Sequence, residues 1–200
     1  MSSEAENEAR LAGGLGPGTV VLIVGPSGAG KDALLQGASE SLHGDPRFRF
    51  PPRLINRPAD GNEQNHQLDV RSVTDVQASP HYALWWTAHG LIYALSTGLD
   101  EDVRQGRCVV FNASRTIVAR ARDRYRSLRV VYIDAPLEVR ASRIAARGRE
   151  SAAEAEARLA RDVAGFAPND ADDIVMNDGS LQSGITRLKT LLLRYADQSD

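Results

Sequence analysis

The stretch Thr19-Val20-Val21-Leu22-Ile23-Val24-Gly25-Pro26-Ser27-Gly28-Ala29-Gly30-Lys31-Asp32, continuing into Ala33-Leu34-Leu35-Gln36, decides how the rest of the chain is read. Its β-branched, apolar start predicts a buried strand, its glycines a tight turn, and its end a helix. A strand that opens through G-x-x-x-x-G-K into a helix is the setting of a phosphate-binding loop. Gly25, Gly28 and Gly30 give the backbone the latitude to turn successive N–H groups toward phosphate oxygens at the positive end of the new helix. Lys31 then reaches the β- and γ-phosphates, and it is one of only two lysines in the chain, with Lys189. The eight residues Gly25, Pro26, Ser27, Gly28, Ala29, Gly30, Lys31 and Asp32 are therefore the candidate nucleotide site. The plainer alternative is a glycine turn with a solvated lysine. It does not account for spacing, strand and helix together.

Asp32 stands where such loops usually place a Ser or Thr hydroxyl for Mg²⁺. A carboxylate also holds Mg²⁺, directly or through water, so Asp32 is the candidate metal ligand. Placement of an acidic residue in the first turn of a helix is favourable in any case.

Composition narrows the classes. The 200 residues, 42% of them hydrophobic, suit one domain with a small inserted lobe. With 24 Lys+Arg against 26 Asp+Glu, the chain lacks the broad basic field of a nucleic-acid binder. The lone Cys108 lies in the apolar run Cys108-Val109-Val110-Phe111, excludes an internal disulfide and is expected to be a core residue. No stretch has the length of a membrane span, and Met1 to Arg10 lack the apolar segment of a signal peptide, so a cytoplasmic address is expected.

Residues 1–18 read as a flexible leader and residues 19–195 as one domain. Its core is expected from 19–55 and 99–195, an acceptor lobe from 56–98 and a lid near 147–157. Strands are predicted at Arg53-Leu54-Ile55, Cys108 to Phe111, Arg129 to Ile133 and Ile174 to Met176. Helices are predicted at Lys31 to Leu42, Leu99 to Gln105, Ser114 to Arg124, Pro136 to Arg147, Ala152 to Ala164 and Leu181 to Tyr195. That alternation is the rhythm of a three-layer α/β fold with a parallel sheet. Within the lobe, Ser72-x-x-Asp75 opens a brief helix, and Tyr82 to Ala88 with Leu91 to Leu95 form a hairpin around His89-Gly90.

Four arginines flank a glycine break: Arg147, Arg149, Arg158 and Arg161. Guanidinium groups that can fold over a transferring phosphoryl group make a lid, although paired surface charges would have the same composition. In an open α/β sheet the carboxyl ends of strands line the ligand crevice. Arg57, Asn112, Ser114 and Arg115 are accordingly candidates for binding the acceptor. Tyr82, Trp85 and Trp86 read either as a stacking platform or as the lobe's core. His66, His81 and His89 have no metal-ligand spacing, and His89 matters as a neighbour of the lobe's turn.

On these residues the chain resembles the guanylate-kinase group of P-loop kinases and, within it, the ribose 1,5-bisphosphate phosphokinases of bacterial phosphonate degradation. The likeness runs from about Thr19 to Leu192. It rests on the loop ending Gly30-Lys31-Asp32, on Arg53-Leu-Ile-Asn-Arg57 with Asn65-His66, and on Trp86-Thr-Ala-His89-Gly90-Leu-Ile-Tyr93. It extends through Asn112-Ala113-Ser114-Arg115, Arg147-Gly148-Arg149-Glu150 with Ala157 to Arg161, and Asn177-Asp178-Gly179-Ser180. The resemblance implies ATP and Mg²⁺ as cofactors and a phosphorylated sugar as acceptor. It implies Lys31, Arg147 and Arg158 as catalytic residues, and Arg57, His89, Tyr93, Asn112, Ser114 and Arg115 around the acceptor. It also implies that Asn177 and Asp178 lie beside the adenine. A guanylate kinase is the second reading, but its acidic base readers correspond here to Leu84 and to Asn112 or Ser114, and its second phosphate arginine to Asp60. A third reading is a non-catalytic module of the same fold, a kind that characteristically loses the phosphate loop. Ala94, Ala113 and Gln64 depart from the phosphokinase pattern and bear on the shape of the pocket.

Overall fold

The computed structural model describes residues 14–57, 65–70, 72–88, 90–146 and 166–198. In chain order the elements are β1 (Leu15–Val24), α1 (Lys31–Ser41), β2 (Phe48–Arg49), β3 (Arg53–Ile55), β4 (Asn65–Gln67), α2 (Val73–Ala78), β5 (Tyr82–Ala88) and β6 (Leu91–Ser96). They continue with α3 (Gly98–Arg104), β7 (Cys108–Asn112), a 3-10 turn (Arg115–Ile117), α4 (Val118–Arg124), β8 (Tyr125–Asp134) and α5 (Leu137–Ala146). A second 3-10 turn (Pro168–Asp170), β9 (Asp173–Met176) and α6 (Leu181–Ala196) complete the series.

Five strands form a parallel sheet in the order β2-β7-β1-β8-β9, with β1 at its centre. Val20 to Val24 are wholly buried, as a strand covered on both faces requires. Their side chains alternate between two cores. Val20, Leu22 and Val24 join Val109, Phe111, Val130 and Tyr132 under α3, α4 and the hairpin β5–β6. Val21 and Ile23 join Cys108, Val110, Val131 and Ile133 under α1 and α6, which contribute Leu34, Ala38, Leu188 and Leu192. The three-layer α/β architecture expected from the alternation is therefore present. Burial pushes the Cys108 thiol up to about 12, which suits a core residue and not a nucleophile.

The expected lobe contains a second sheet of order β4-β3-β6-β5, antiparallel except for β3 against β4. A satellite core of Leu68, Val76, Ile92 and Ala94 sits beneath it, closed by α2, whose Ser72 and Asp75 make the expected capping box.

Three boundaries differ from expectation. The first strand begins at Leu15, because Leu15 pairs with Tyr125 of a β8 that itself starts before Arg129. A Gly-Pro-Gly composition reads locally as linker, whereas the long-range partner makes it strand. Second, Arg53–Ile55 belongs to the lobe's sheet and not to the core's, whose edge is Phe48–Arg49. Third, only Val118–Arg124 of the helix expected from Ser114 is α-helical, since the Ser114 hydroxyl accepts from the Thr116 N–H and starts a 3-10 turn instead. Residues 1–13 of the expected leader, the lid near 147–157 and the helix expected over 152–164 fall outside the described residues.

A buried ion pair ties the element that leaves the lobe to the main sheet. Asp100 in the first turn of α3 is 4% exposed and accepts from both the Arg124 guanidinium and the Tyr125 hydroxyl, the latter at 2.8 Å. Burial opposes the charge on Arg124, but the hydrogen bond and attraction from Asp100 outweigh it and raise the guanidinium pKa. Removing one member of such a group strands the others without a counter-ion. Asp100→Ala is expected to cost about 3–5 kcal/mol, a drop of roughly 10 °C in the melting temperature measured by calorimetry.

Candidate active site

The phosphate loop emerges where β1 ends, at the carboxyl edge of the sheet and between two strands that run on either side of it. Gly25 has φ +141°, and a Cβ there would lie 2.1 Å from the carbonyl oxygen of Ile133 in β8, so nothing larger than glycine lets the chain leave the sheet here. Gly30 closes the loop in the left-handed region, with φ +90°, and a Cβ on it would lie 2.4 Å from the Asn177 amide nitrogen. No side chain caps α1, whose N-terminal N–H groups and dipole thus point toward the loop's interior. The Lys31 ammonium lies across the loop and donates to the carbonyls of Gly25 at 2.9 Å and Pro26 at 2.8 Å. The loop is preformed.

Beneath it is a support that sequence patterns do not disclose. Asn177, at the end of β9 and 3% exposed, donates from its amide to the Ala29 carbonyl at 2.8 Å. Arg143 of α5 spans the carbonyls of Asn177 and Ala29, at 3.2 and 3.4 Å. Neighbouring Asp178 is exposed and pairs with Arg187 at 3.1 Å. The resemblance implies both residues beside the adenine; in the structure the Asn177 amide holds the floor of the loop.

At the mouth, a chain of contacts runs from the core into the lobe. The Asp32 carboxylate is the meeting point: one of its oxygens accepts from the Asn112 amide at 2.7 Å and from the Arg53 guanidinium at 3.1 Å. Arg53 also lies over the Tyr93 ring, 5.9 Å from its centroid, and Tyr93 in turn stacks on Trp86 with centroids 5.4 Å apart and planes 5° from parallel. Asn112 is 4% exposed at the end of β7, so its amide is placed to position Asp32. Trp86, 4% exposed, belongs to the core beneath the hairpin, and Trp85 and Tyr82 pack on the satellite core; the core reading of these aromatics holds.

Of the other expected residues, Arg57 follows β3, where Asn56 fixes the chain by exchanging hydrogen bonds with Ile92 of β6. Ser114 and Arg115 follow β7, with the Ser114 hydroxyl committed to Thr116. His89, Arg147 and Arg158 fall outside the described residues. Leu84, which corresponds to a guanine-reading acid, is 1% exposed and buried in the main core. Ala94 and Ala113 are equally buried, one in the satellite core and one in the main core. Sequence reasoning missed Arg53 and Arg143. Arg53 opens β3, and neither it nor Arg143 carries a local signal that marks its partner.

Mg²⁺ is usually held by one or two carboxylates together with substrate phosphates and water. Asp32, with 44% of its side chain exposed beside Lys31, offers one such carboxylate. Among the described residues no group of three His, Cys, Asp or Glu side chains could hold a metal without help. The donor set fits a cation that arrives with a nucleotide.

No protein-family model matches the chain. A crystal structure of guanylate kinase from Anaplasma phagocytophilum superposes with a TM-score of 0.59, covering 91% of this chain and 87% of that one at 14% identity, a likeness of fold. The ribose 1,5-bisphosphate phosphokinase PhnN of Methylobacterium radiotolerans is 45% identical over 172 residues, 86% of this chain and 96% of the relative. That of Bradyrhizobium diazoefficiens is 42% identical over 180 residues, 90% of each chain. Identity at this level, across nearly the full length of both partners and on an intact phosphate loop, means that the chain belongs to the ribose 1,5-bisphosphate phosphokinase family.

Proposed function

We propose that this protein transfers the γ-phosphoryl group of ATP to the 1-phosphate of ribose 1,5-bisphosphate, giving ADP and 5-phosphoribosyl 1-diphosphate. The observation that carries it is the family membership, and the preformed loop with Lys31 agrees with it. An oxygen of the 1-phosphate forms the new bond to the γ-phosphorus as the bond to the β-bridging oxygen breaks. That oxygen is already ionised near neutral pH, since the second pKa of a phosphate monoester is about 6. No general base is therefore required, and catalysis consists of alignment and charge neutralisation.

The roles follow from the chemistry of each position. Lys31 and the loop N–H groups hold the β- and γ-phosphates, and Asp32, steadied by Asn112, is the ligand for Mg²⁺. The cation supplies charge neutralisation between the phosphates when bound. Arg57, His89 and Tyr93 from the lobe, with Ser114 and Arg115 from the turn after β7, serve the acceptor; Arg147 and Arg158 close over the transferring group. Asp178 borders the nucleotide. In this proposal the enzyme works in the cytoplasm on small phosphorylated sugars, and no membrane or nucleic acid is involved. No described helix is long and apolar enough to cross a membrane.

The second reading, a guanylate kinase, requires groups that hydrogen-bond a purine edge. Leu84 is buried in the core and the Asn112 amide is spent on Asp32, which favours a sugar without a base. The deciding measurement is ADP release with ribose 1,5-bisphosphate, GMP, AMP and dGMP as acceptors, with the sugar product identified directly. The bisphosphate is expected to lead GMP by about 10⁴-fold in kcat/KM; equal turnover of GMP would restore the guanylate kinase.

Two substitutions test the assigned roles. Lys31→Ala is expected to lower kcat by at least about 10³-fold, the scale of a lost transition-state charge, and near-normal turnover would sink the nucleotide site. Asp32→Ala is expected to raise the Mg²⁺ concentration for half-maximal rate by more than about tenfold, on the scale seen when a metal's supporting groups are removed. The KM for ATP at saturating Mg²⁺ should change far less, and Asp32→Ser should recover part of the loss. An unchanged Mg²⁺ titration would leave Asp32 a helix-end charge only.

A further inference from the structure

Ribose 1,5-bisphosphate differs from a nucleoside monophosphate in carrying two phosphates, so its site needs two cationic positions. Arg57 serves one. We propose that Arg53 is the other, the residue that holds the 1-phosphate as it attacks. The inference rests on the function proposed above and assigns a residue that the sequence left unassigned.

Four observations carry it. Arg53 lies on β3, which belongs to the lobe, yet its guanidinium reaches the first turn of α1 and pairs with Asp32 at 3.1 Å. It is thus a lobe cation brought to the residue next to Lys31, where the γ-phosphate must be for Lys31 to neutralise it. Its side chain is 17% exposed, so it sits at the crevice with most of its stem packed and its reach restricted. The Tyr93 ring lies within cation–π range of it on the lobe's side, its centroid 5.9 Å from the guanidinium carbon. Lastly, the Asp32 oxygen that pairs with it also accepts from Asn112, so the counter-ion is held from the core side independently of Arg53.

The arrangement gives the acceptor phosphate a way in. A dianionic phosphate cannot approach a nucleotide's phosphates without compensating positive charge. While the Asp32 charge is fully exposed to Arg53, the two groups neutralise each other. A cation held by Asp32 would share that carboxylate, and the Arg53 guanidinium, whose fork of donors matches phosphate oxygens, would then turn part of its pairing to the incoming phosphate. Binding of the metal nucleotide and capture of the reacting phosphate would thus be coupled through one carboxylate. Arg57, beyond the end of the same strand, takes the 5-phosphate.

The test compares the wild-type enzyme with Arg53→Gln and Arg53→Lys, using ribose 1,5-bisphosphate as substrate and ribose 5-phosphate, which lacks the 1-phosphate, as a competitive inhibitor. Arg53→Gln is expected to raise the KM for the bisphosphate by roughly 100-fold, the effect of truncating one partner of a desolvated charge pair. The inhibition constant of ribose 5-phosphate and the binding of a fluorescent ATP analogue should stay within about twofold on the same scale. Arg53→Lys keeps the charge but not the fork, and is expected to recover part of the loss. An equal rise in both sugar constants would overturn the assignment, because Arg53 would then merely hold the lobe. So would a changed Mg²⁺ requirement with an unchanged bisphosphate KM, which would make Arg53 only the partner of Asp32. Wild-type inactivity toward the bisphosphate would instead overturn the function itself, before any variant is compared. Should Arg53→Gln fail to fold, the Lys variant still separates the two sugar constants.

Discussion

A strand buried on both faces has one exit, its end, and the position of β1 dictates where most of the site can stand. Val20 to Val24 are fully enclosed between the two halves of the core, with β7 and β8 hydrogen-bonded on either side. The chain must therefore turn at the carboxyl edge, and the Ile133 carbonyl leaves room only for a glycine at the turn. The groups of the loop itself are then placed by two short-range facts: the loop comes directly after β1, and α1 directly after the loop. The neighbouring strands end at the same edge, which brings Asn112 within hydrogen-bond distance of Asp32.

That pairing explains the residue that is least expected in a phosphate loop. An aspartate beside a polyanion is unfavourable unless its charge is shared. Here it is shared three ways in principle, by a helix N-terminus, an amide and a guanidinium. The guanidinium comes from the lobe, so the ion pair is also a contact between the lobe's sheet and α1. In the proposed role Asp32 would supply negative charge for a cation, and the uncharged Asn112 takes the strand-end position where P-loop enzymes often carry an acid.

Legibility in the sequence divides along chain distance. The phosphate loop is contiguous, and strand, turn and helix each leave a local signature, so it was legible in full. Long buried strands and the capping box at Ser72 and Asp75 were legible for the same reason. The two-residue β2 and three-residue β4 carry too little pattern to be detected, and they exist because a neighbour offers hydrogen bonds. Side-chain partners were the least legible. Arg53 is 21 residues from Asp32 and Asn112 is 80, and no periodicity links them. The rule that strand ends line the crevice drew attention to Asn112, but assigned it to the acceptor and not to Asp32. Likewise the resemblance implies Asn177 beside the adenine, and nothing in the sequence reveals that its amide donates to the Ala29 carbonyl.

The departures from the phosphokinase pattern can be weighed in the same physical terms. Ala94 and Ala113 each stand where a glycine is usual, and an added methyl group matters only where it points. Ala94 lies opposite both Leu54 and Trp85, wholly buried, and its methyl contributes to a satellite core that has few other members. Ala113 has its methyl in the main core and donates its N–H to the Ile23 carbonyl at 3.1 Å, prolonging the pairing of β7 with β1 past Asn112. Neither methyl enters the crevice. Both add buried apolar surface, worth about 0.8 kcal/mol per carbon, to the strands that carry Tyr93 and Asn112. Their effect therefore falls on the packed frame that carries the site, through burial in the two cores.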